Sequence, residues 1–152
     1  NVAVSYKNFD LSMFWQGVAD QDIYNNQKFQ TDFWSITDAG SNKGNRMLNA
    51  WTSDNTDSSI PALTTNNTAD EGRVSTYYVE NGSYLKLRTL QLGYNVPEKF
   101  ISKLKMSSLR AYISGQNLLT LKSSSLTCSD PENPSWAYPL ATSISFGLQV
   151  GF

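Results

Sequence analysis

SISFGLQVGF (143–152) decides the fold, because every second residue is apolar: Ile144, Phe146, Leu148, Val150 and Phe152. Ser143, Ser145, Gly147, Gln149 and Gly151 sit between them. Strict alternation marks a strand whose two faces meet different surroundings. The last few residues of a water-soluble domain usually fray. A run that closes on Phe152 predicts instead a strand held to its final residue, with a stripe that needs an apolar environment along its full length.

The same signature recurs upstream. NVAVSY (1–6) places Val2, Val4 and Tyr6 on one side, and Lys7-Asn8 breaks the run. FDLSMFWQGVA (9–19) then sets Phe9, Leu11, Met13, Trp15 and Gly17 against Asp10, Ser12, Phe14 and Gln16. Two alternating runs around a two-residue break predict a hairpin. SYLKLRTLQLGYNV (83–96) changes phase, since Leu85 and Leu87 share one parity while Leu90, Leu92 and Tyr94 share the other. A slip of this kind predicts a β-bulge. PEKFISKLK (97–105), with Pro97 and Glu98 at its start, predicts a short helix or turn. SLRAYISGQNLLTL (108–121) returns to alternation. Five strands result, over 1–6, 9–19, 83–96, 108–121 and 142–152.

The longer strands cover roughly 10–14 residues, against about 5–6 in most globular sheets and about 9–11 for a strand that crosses a bilayer. Connections alternate between short (7–8 and 97–107) and long (20–82 and 122–141). The first long connection is rich in Asn, Asp, Thr and Ser. It shows helical spacing only at 27–39 (Phe29, Phe33, Ile36) and at 45–51. The second carries three of the five prolines. Short turns on one side and long loops on the other are the pattern of outer-membrane barrels, whose outward loops run long. About eight strands are the fewest that close such a barrel, and an open edge in lipid leaves backbone groups unpaired. The chain therefore reads as an all-β, antiparallel transmembrane barrel segment with long extracellular loops, one of them containing short helices. Its start at Asn1, without Met and within a strand pattern, fits a cut N-terminus, and Phe152 fits a true end.

Composition narrows the chemistry. Net charge is −1 and no basic patch stands out, so no broad field would draw nucleic acid or anionic lipid. Charged residues make up 16% of the chain against about 25% in a typical domain, and aromatics reach 12%, a balance that suits a β protein. There is one cysteine, Cys128, and no histidine. An internal disulfide, an ordinary zinc site and histidine acid–base catalysis are thereby excluded. Cys128, in a polar loop beside Asp130 and Pro131, reads as an incidental thiol. No run approaches the roughly 18 apolar residues of a membrane helix.

DQDIYNNQKFQT (20–31) opens like a calcium loop but has Asn25 and Thr31 where Gly and Glu belong, so a capping or loop role is expected. Glu71, Glu80, Glu98 and Glu132 are too scattered to suggest a glycosidase pair. Neither a catalytic residue nor a cofactor is expected. Trp34, Trp51, Trp136 and Tyr138 lie in the long loops, where they either pack the loops or contact a ligand or partner. Phe9, Trp15, Tyr84, Tyr94 and Phe152, near strand ends, match an aromatic girdle. Asp10, Ser12, Gln16, Lys86, Arg88, Arg110, Ser114 and Gln116 fall on the opposite face and would line a lumen.

Three collinear blocks carry a family resemblance. FDLSMFWQGVADQDIYN (9–25), SYLKLRTLQLGYNVP (83–97) with LRAYISGQNLLTL (109–121), and DPE (130–132) with YPL (138–140) and SFGLQVGF (145–152) resemble segments of SusC/RagA transporters. WTSDNTDSSIP (51–61) is similar more loosely. Ala19-Asp20 and Thr127-Cys128-Ser129 depart from the family pattern, so no contacts are carried across those loops. The resemblance implies the C-terminal part of a TonB-dependent outer-membrane transporter, some five strands of a barrel of about 22, with the plug domain outside this chain. It implies import of a glycan or oligopeptide. The implied partners are a SusD-like surface lipoprotein, TonB, the remaining barrel and plug, and the lipid bilayer, with no nucleic acid. It also implies that Ile144, Phe146, Leu148, Val150 and Phe152 form the barrel-assembly signal. The rival reading is a soluble β-sandwich that binds carbohydrate.

Overall fold

Alternation becomes strand wherever it was read, and two further strands form where no alternation exists. The computed structural model describes residues 1–34, 42–63, 70 and 72–152. Its strands are β1 (Val2–Tyr6), β2 (Phe9–Val18), β3 (Asp22–Tyr24), β4 (Val79–Asn81), β5 (Tyr84–Asn95), β6 (Ser108–Lys122) and β7 (Ser143–Gly151). Two α-helical turns, α1 (Asn26–Phe29) and α2 (Glu98–Ile101), and short 3-10 or π turns complete the elements. The chain divides into two units. One comprises Asn1–Ala19, Ser83–Lys122 and Pro139–Phe152; the other comprises Asp20–Gly82 and Ser123–Tyr138.

The first unit is an antiparallel sheet in the order β1-β2-β5-β6-β7. Its register sorts the side chains by face. Val4, Leu11, Leu92, Ile113 and Phe146 stand opposite one another in a single row across the five strands. One residue along, Ser12, Gln91, Ser114 and Ser145 form a polar row on the other face. Of the five apolar residues four are exposed, Val4 at 55%, Leu92 at 42%, Ile113 at 37% and Phe146 at 80%, and Leu11 is half-buried.

The predicted phase slip is a real irregularity. Trp15 faces Leu87 but Phe14 faces Thr89, which leaves Arg88 as the extra residue. β6 answers with Asn117 at φ 51. This bulge corrects one expectation. It puts Tyr94 with the leucines, whereas Tyr84, on the near side of the slip, shares the polar face with Lys86, whose ammonium lies 5.5 Å from the Tyr84 ring. Tyr84 therefore does not belong to an apolar girdle. Phe9 and Tyr94 do pair, with ring centroids 4.8 Å apart.

The second unit brings the two long connections, 20–82 and 122–141, together over most of their length. β3 pairs with β4, setting Ile23 opposite Glu80. Phe33, Met47, Ala50 and Tyr78 form a buried core, with Tyr24, Phe29, Ile60 and Tyr77 against it. Phe33 and Met47 each contribute roughly 1.5–3 kcal/mol by leaving water. A smaller cluster joins Ile23 to Leu126 and Cys128, so residues 123–138 fold onto 20–82. Cys128 is fully buried and packs in this cluster. The helical spacing read at 27–39 yields α1 and a π turn over Gln30–Trp34, and its last part, with Ile36, lies outside the described residues. The spacing at 45–51 yields a 3-10 turn, Asn45–Asn49.

Candidate functional site

The polar sheet face is built around an ion pair that spans a strand. Asp10 on β2 and Arg110 on β6 are separated by β5, yet Arg110 donates from Nε to Oδ1 at 3.1 Å and from Nη2 to Oδ2 at 2.5 Å. The bidentate geometry is the strong form of this contact. Gly93, directly opposite Asp10, permits it. A Cβ there would lie 2.5 Å from both Arg110 Nη2 and Asp10 Oδ1, so any side chain would push the pair apart. Asn95 donates to the same Asp10 carboxylate at 3.3 Å, and the Gln91 amide oxygen, turned toward Arg110, accepts at 2.9 Å. The Arg110 guanidinium also lies 5.4 Å from the Tyr112 ring, which covers Gly147. Nearer the long-loop end, Arg88 Nε donates to Gln16 at 3.0 Å. Asp10, Gln16, Lys86, Arg88, Arg110, Ser114 and Gln116 thus occupy one face. It is a wall of fixed polar groups.

The second unit carries a buried polar cluster that local sequence gives no reason to expect. Asn25 caps α1, accepting from the Lys28 N–H at 2.9 Å. Its amide donates to Glu80 at 2.8 Å. Glu80 also accepts from the Thr127 N–H at 2.9 Å and from the Thr127 hydroxyl at 2.9 Å. Lys28 Nζ stands 3.4 Å from Glu80. Arg46 lies 3.3 Å from Asp32 and 4.0 Å from Glu80, joining the two carboxylates. Tyr77 donates to Asp32 at 2.8 Å. Burial pushes the Glu80 carboxyl up. The hydrogen bonds from Thr127 and Asn25 and the charge of Lys28 outweigh that and hold it below the ordinary carboxylate range. Burial raises the Tyr77 phenol, and its bond to Asp32 raises it further, so it stays a donor. Donors saturate Glu80, and none of these contacts leaves a carboxylate poised for proton transfer. The cluster is a clasp between segments, not a catalytic site.

Of the aromatics singled out in the loops, Trp51 is 43% exposed, Trp136 64% and Tyr138 99%. The Trp34 side chain lies outside the described ones. The loops pack instead through Tyr24, Phe29, Phe33, Tyr77 and Tyr78, with Phe29–Tyr78 and Tyr77–Tyr78 centroids 5.1 and 5.0 Å apart. Among the described residues, no group of three His, Cys, Asp or Glu could hold a metal ion. No helix is long and apolar enough to cross a membrane, a test that says nothing of strands.

No protein-family profile matches the chain. It is 37% identical over 123 residues to TonB-dependent receptor P3 of Formosa agariphila, which covers 79% of this chain and 11% of that protein. It is 28% identical over 167 residues to TonB-dependent receptor P26 of the same organism, covering 98% and 16%. Among solved structures it resembles a chain of the RagAB peptide importer in the open-open state, with TM-score 0.75 and 26% identity, covering 97% of this chain and 16% of that one. The closed-closed state gives a TM-score of 0.72 over the same coverage. The chain thus spans no more than about a sixth of these relatives. With its FDLS, LGY and SGQNL blocks, its two-faced antiparallel sheet and these likenesses, the chain belongs to the SusC/RagA-like TonB-dependent receptors.

Proposed function

We propose that this chain is the C-terminal wall of an outer-membrane barrel that imports a nutrient, a glycan or an oligopeptide, by TonB-dependent transport. The observation that carries the reading is the largely exposed apolar row from Val4 to Phe146. In water so large an exposed apolar patch is a liability; in lipid it is the required surface. Strand length agrees: β2 has 10 residues, β5 12 and β7 9, against about 9–11 to cross a bilayer. A soluble sandwich would pack a second sheet on this face, and the exposure of its side chains argues against that. The open edges at β1 and β7 pair with strands beyond this chain, the stripe Ile144–Phe152 serves as assembly signal, and the polar face lines the transport path. The exposed Trp51, Trp136 and Tyr138 are available to a surface lipoprotein or to the substrate, while TonB acts through segments outside this chain.

Adjacent residues on opposite faces test the proposal in the full-length protein. Ile113→Arg should cost about 2–4 kcal/mol near the bilayer midplane and sharply lower the outer-membrane level, whereas Ser114→Arg should leave it near normal. Equal tolerance of the two would remove the membrane reading. In the same assay Phe152→Ala is expected to lower the level several-fold, and an unchanged level would remove the signal role. Separately, Trp136→Ala with Tyr138→Ala should reduce co-purification of the lipoprotein, or uptake, by tenfold or more if these rings act as anchors, since such anchors contribute at least about 2 kcal/mol. Unchanged capture and uptake would assign them no role in either.

A further inference from the structure

The short-turn end of the sheet gathers charge and aromatic rings in a way that the transport path does not use. Lys7 sits in the β1–β2 turn, and Lys99, Lys103 and Lys105 sit in the β5–β6 connection; all four are exposed. The two turns adjoin, because the Asn95 N–H donates to the Asn8 carbonyl at 2.8 Å. The connection also reaches β7, where the Ser107 N–H donates to Gly151 at 2.8 Å. One rim therefore runs across the sheet. Against these four lysines the two turns carry one acid, Glu98. Asp10, the next carboxylate inward, is held by Arg110.

Phe100 gives the rim an apolar anchor. α2 has only four residues, so it cannot bury both of its large apolar side chains on one side. Ile101 is 2% exposed and Phe100 66%. Just inside the rim the apolar face ends in aromatics: Tyr6, Phe9 and Phe152 are exposed, and Phe9 stacks on Tyr94. Lys7 leans back over the Tyr6 ring at 5.3 Å. From mid-sheet outward the order is aliphatic, aromatic, lysine. That is the order of hydrocarbon, interface and charged headgroup in a bilayer.

We infer that this rim is a docking surface for anionic phospholipid headgroups of the leaflet it meets, with Lys7, Lys99, Lys103 and Lys105 supplying charge and Phe100 the anchor. The inference rests on the membrane-spanning reading. Net chain charge conceals it, because four of the eight lysines gather at this end beside one acid while the other acids lie elsewhere. An acidic protein segment would match the charge but leave the exposed Phe100 and the aromatic residues beneath the rim without a role.

The test uses the full-length transporter in vesicles of phosphatidylethanolamine with or without phosphatidylglycerol. Native mass spectrometry then counts the lipid each sample retains. Wild type is expected to retain phosphatidylglycerol preferentially, and to lose that preference as salt rises. Lys99→Glu with Lys103→Glu and Lys105→Glu should lower it by roughly tenfold or more. Phe100→Ser should weaken it less. Flotation with the vesicles and a heat-sensitive shift on gels report insertion separately. A protein that inserts but shows no anionic preference, or whose triple variant keeps it, overturns this inference and leaves the barrel reading in place. A protein that fails to insert overturns both. A triple variant that loses a bound protein while keeping phosphatidylglycerol would assign the rim to that protein.

Discussion

Replacing Glu80 by alanine is expected to destabilise the 20–82/123–138 unit by about 3–5 kcal/mol, the usual effect of removing one member of a buried charge pair. Glu80 is 9% exposed. Its loss would take this acceptor from the Thr127 N–H and one partner each from the Lys28 ammonium and the Asn25 amide, which keep the Tyr77 carbonyl and the Thr127 hydroxyl. Together with Glu80 those groups span three stretches of chain, so the change should loosen all three together. Hydrogen exchange on the full-length protein would read this as lost protection over residues 22–34, 76–81 and 125–128. Protection unchanged in all three would show that the cluster does not clasp them. Acid should act in the same direction. The folded carboxyl is held low, so its contribution is fully present above the ordinary value of 4.5 and fades as pH falls below that through the folded value. A unit that opened instead on raising the pH through neutrality would contradict this assignment.

The second large effect is expected from Tyr78→Ala, at about 3–5 kcal/mol. Tyr78 is completely buried. Its ring meets Phe29, Tyr77 and Tyr24 at centroid distances of 5.1, 5.0 and 5.8 Å. The residue also ties backbone to backbone, since its carbonyl accepts from the Asn25 N–H at 2.7 Å. Truncation leaves a cavity between three aromatic side chains that cannot all move inward. Limited proteolysis of the full-length protein should then cut within 20–82 at much lower protease than for wild type. Equal resistance would mean that this unit draws its stability from somewhere other than the aromatic core.

Strand formation was readable wherever a sheet has two different faces. Alternation carries that information locally, and the Leu87-to-Leu90 slip located the bulge for the same reason. Helical spacing served the short turns less well, because α1 and the π turn after it are held by Asn25 and by core contacts more than by their own periodicity. β3 and β4 escaped notice because strands of three residues are too short to show a period. The resemblance of three blocks identified the family, and the likeness to TonB-dependent receptors agrees with it.

The candidate site divides along the same line. Asp10, Gln16 and Arg110 could be assigned to one face by parity alone. Their bonding could not, because it depends on which strands are neighbours and on Gly93 leaving the space between them empty. The loop cluster was invisible for a stronger reason. Asn25 and Glu80 are 55 positions apart, and Asn25 and Thr127 are 102 apart, so no window of sequence contains them. Sequence by itself determined the two-faced strands, their short and long connections and the family, since each is written in neighbouring residues. Only the tertiary structure decided that two distant polar loops share one core and one buried clasp, because burial and hydrogen-bond partnership are properties of the folded chain.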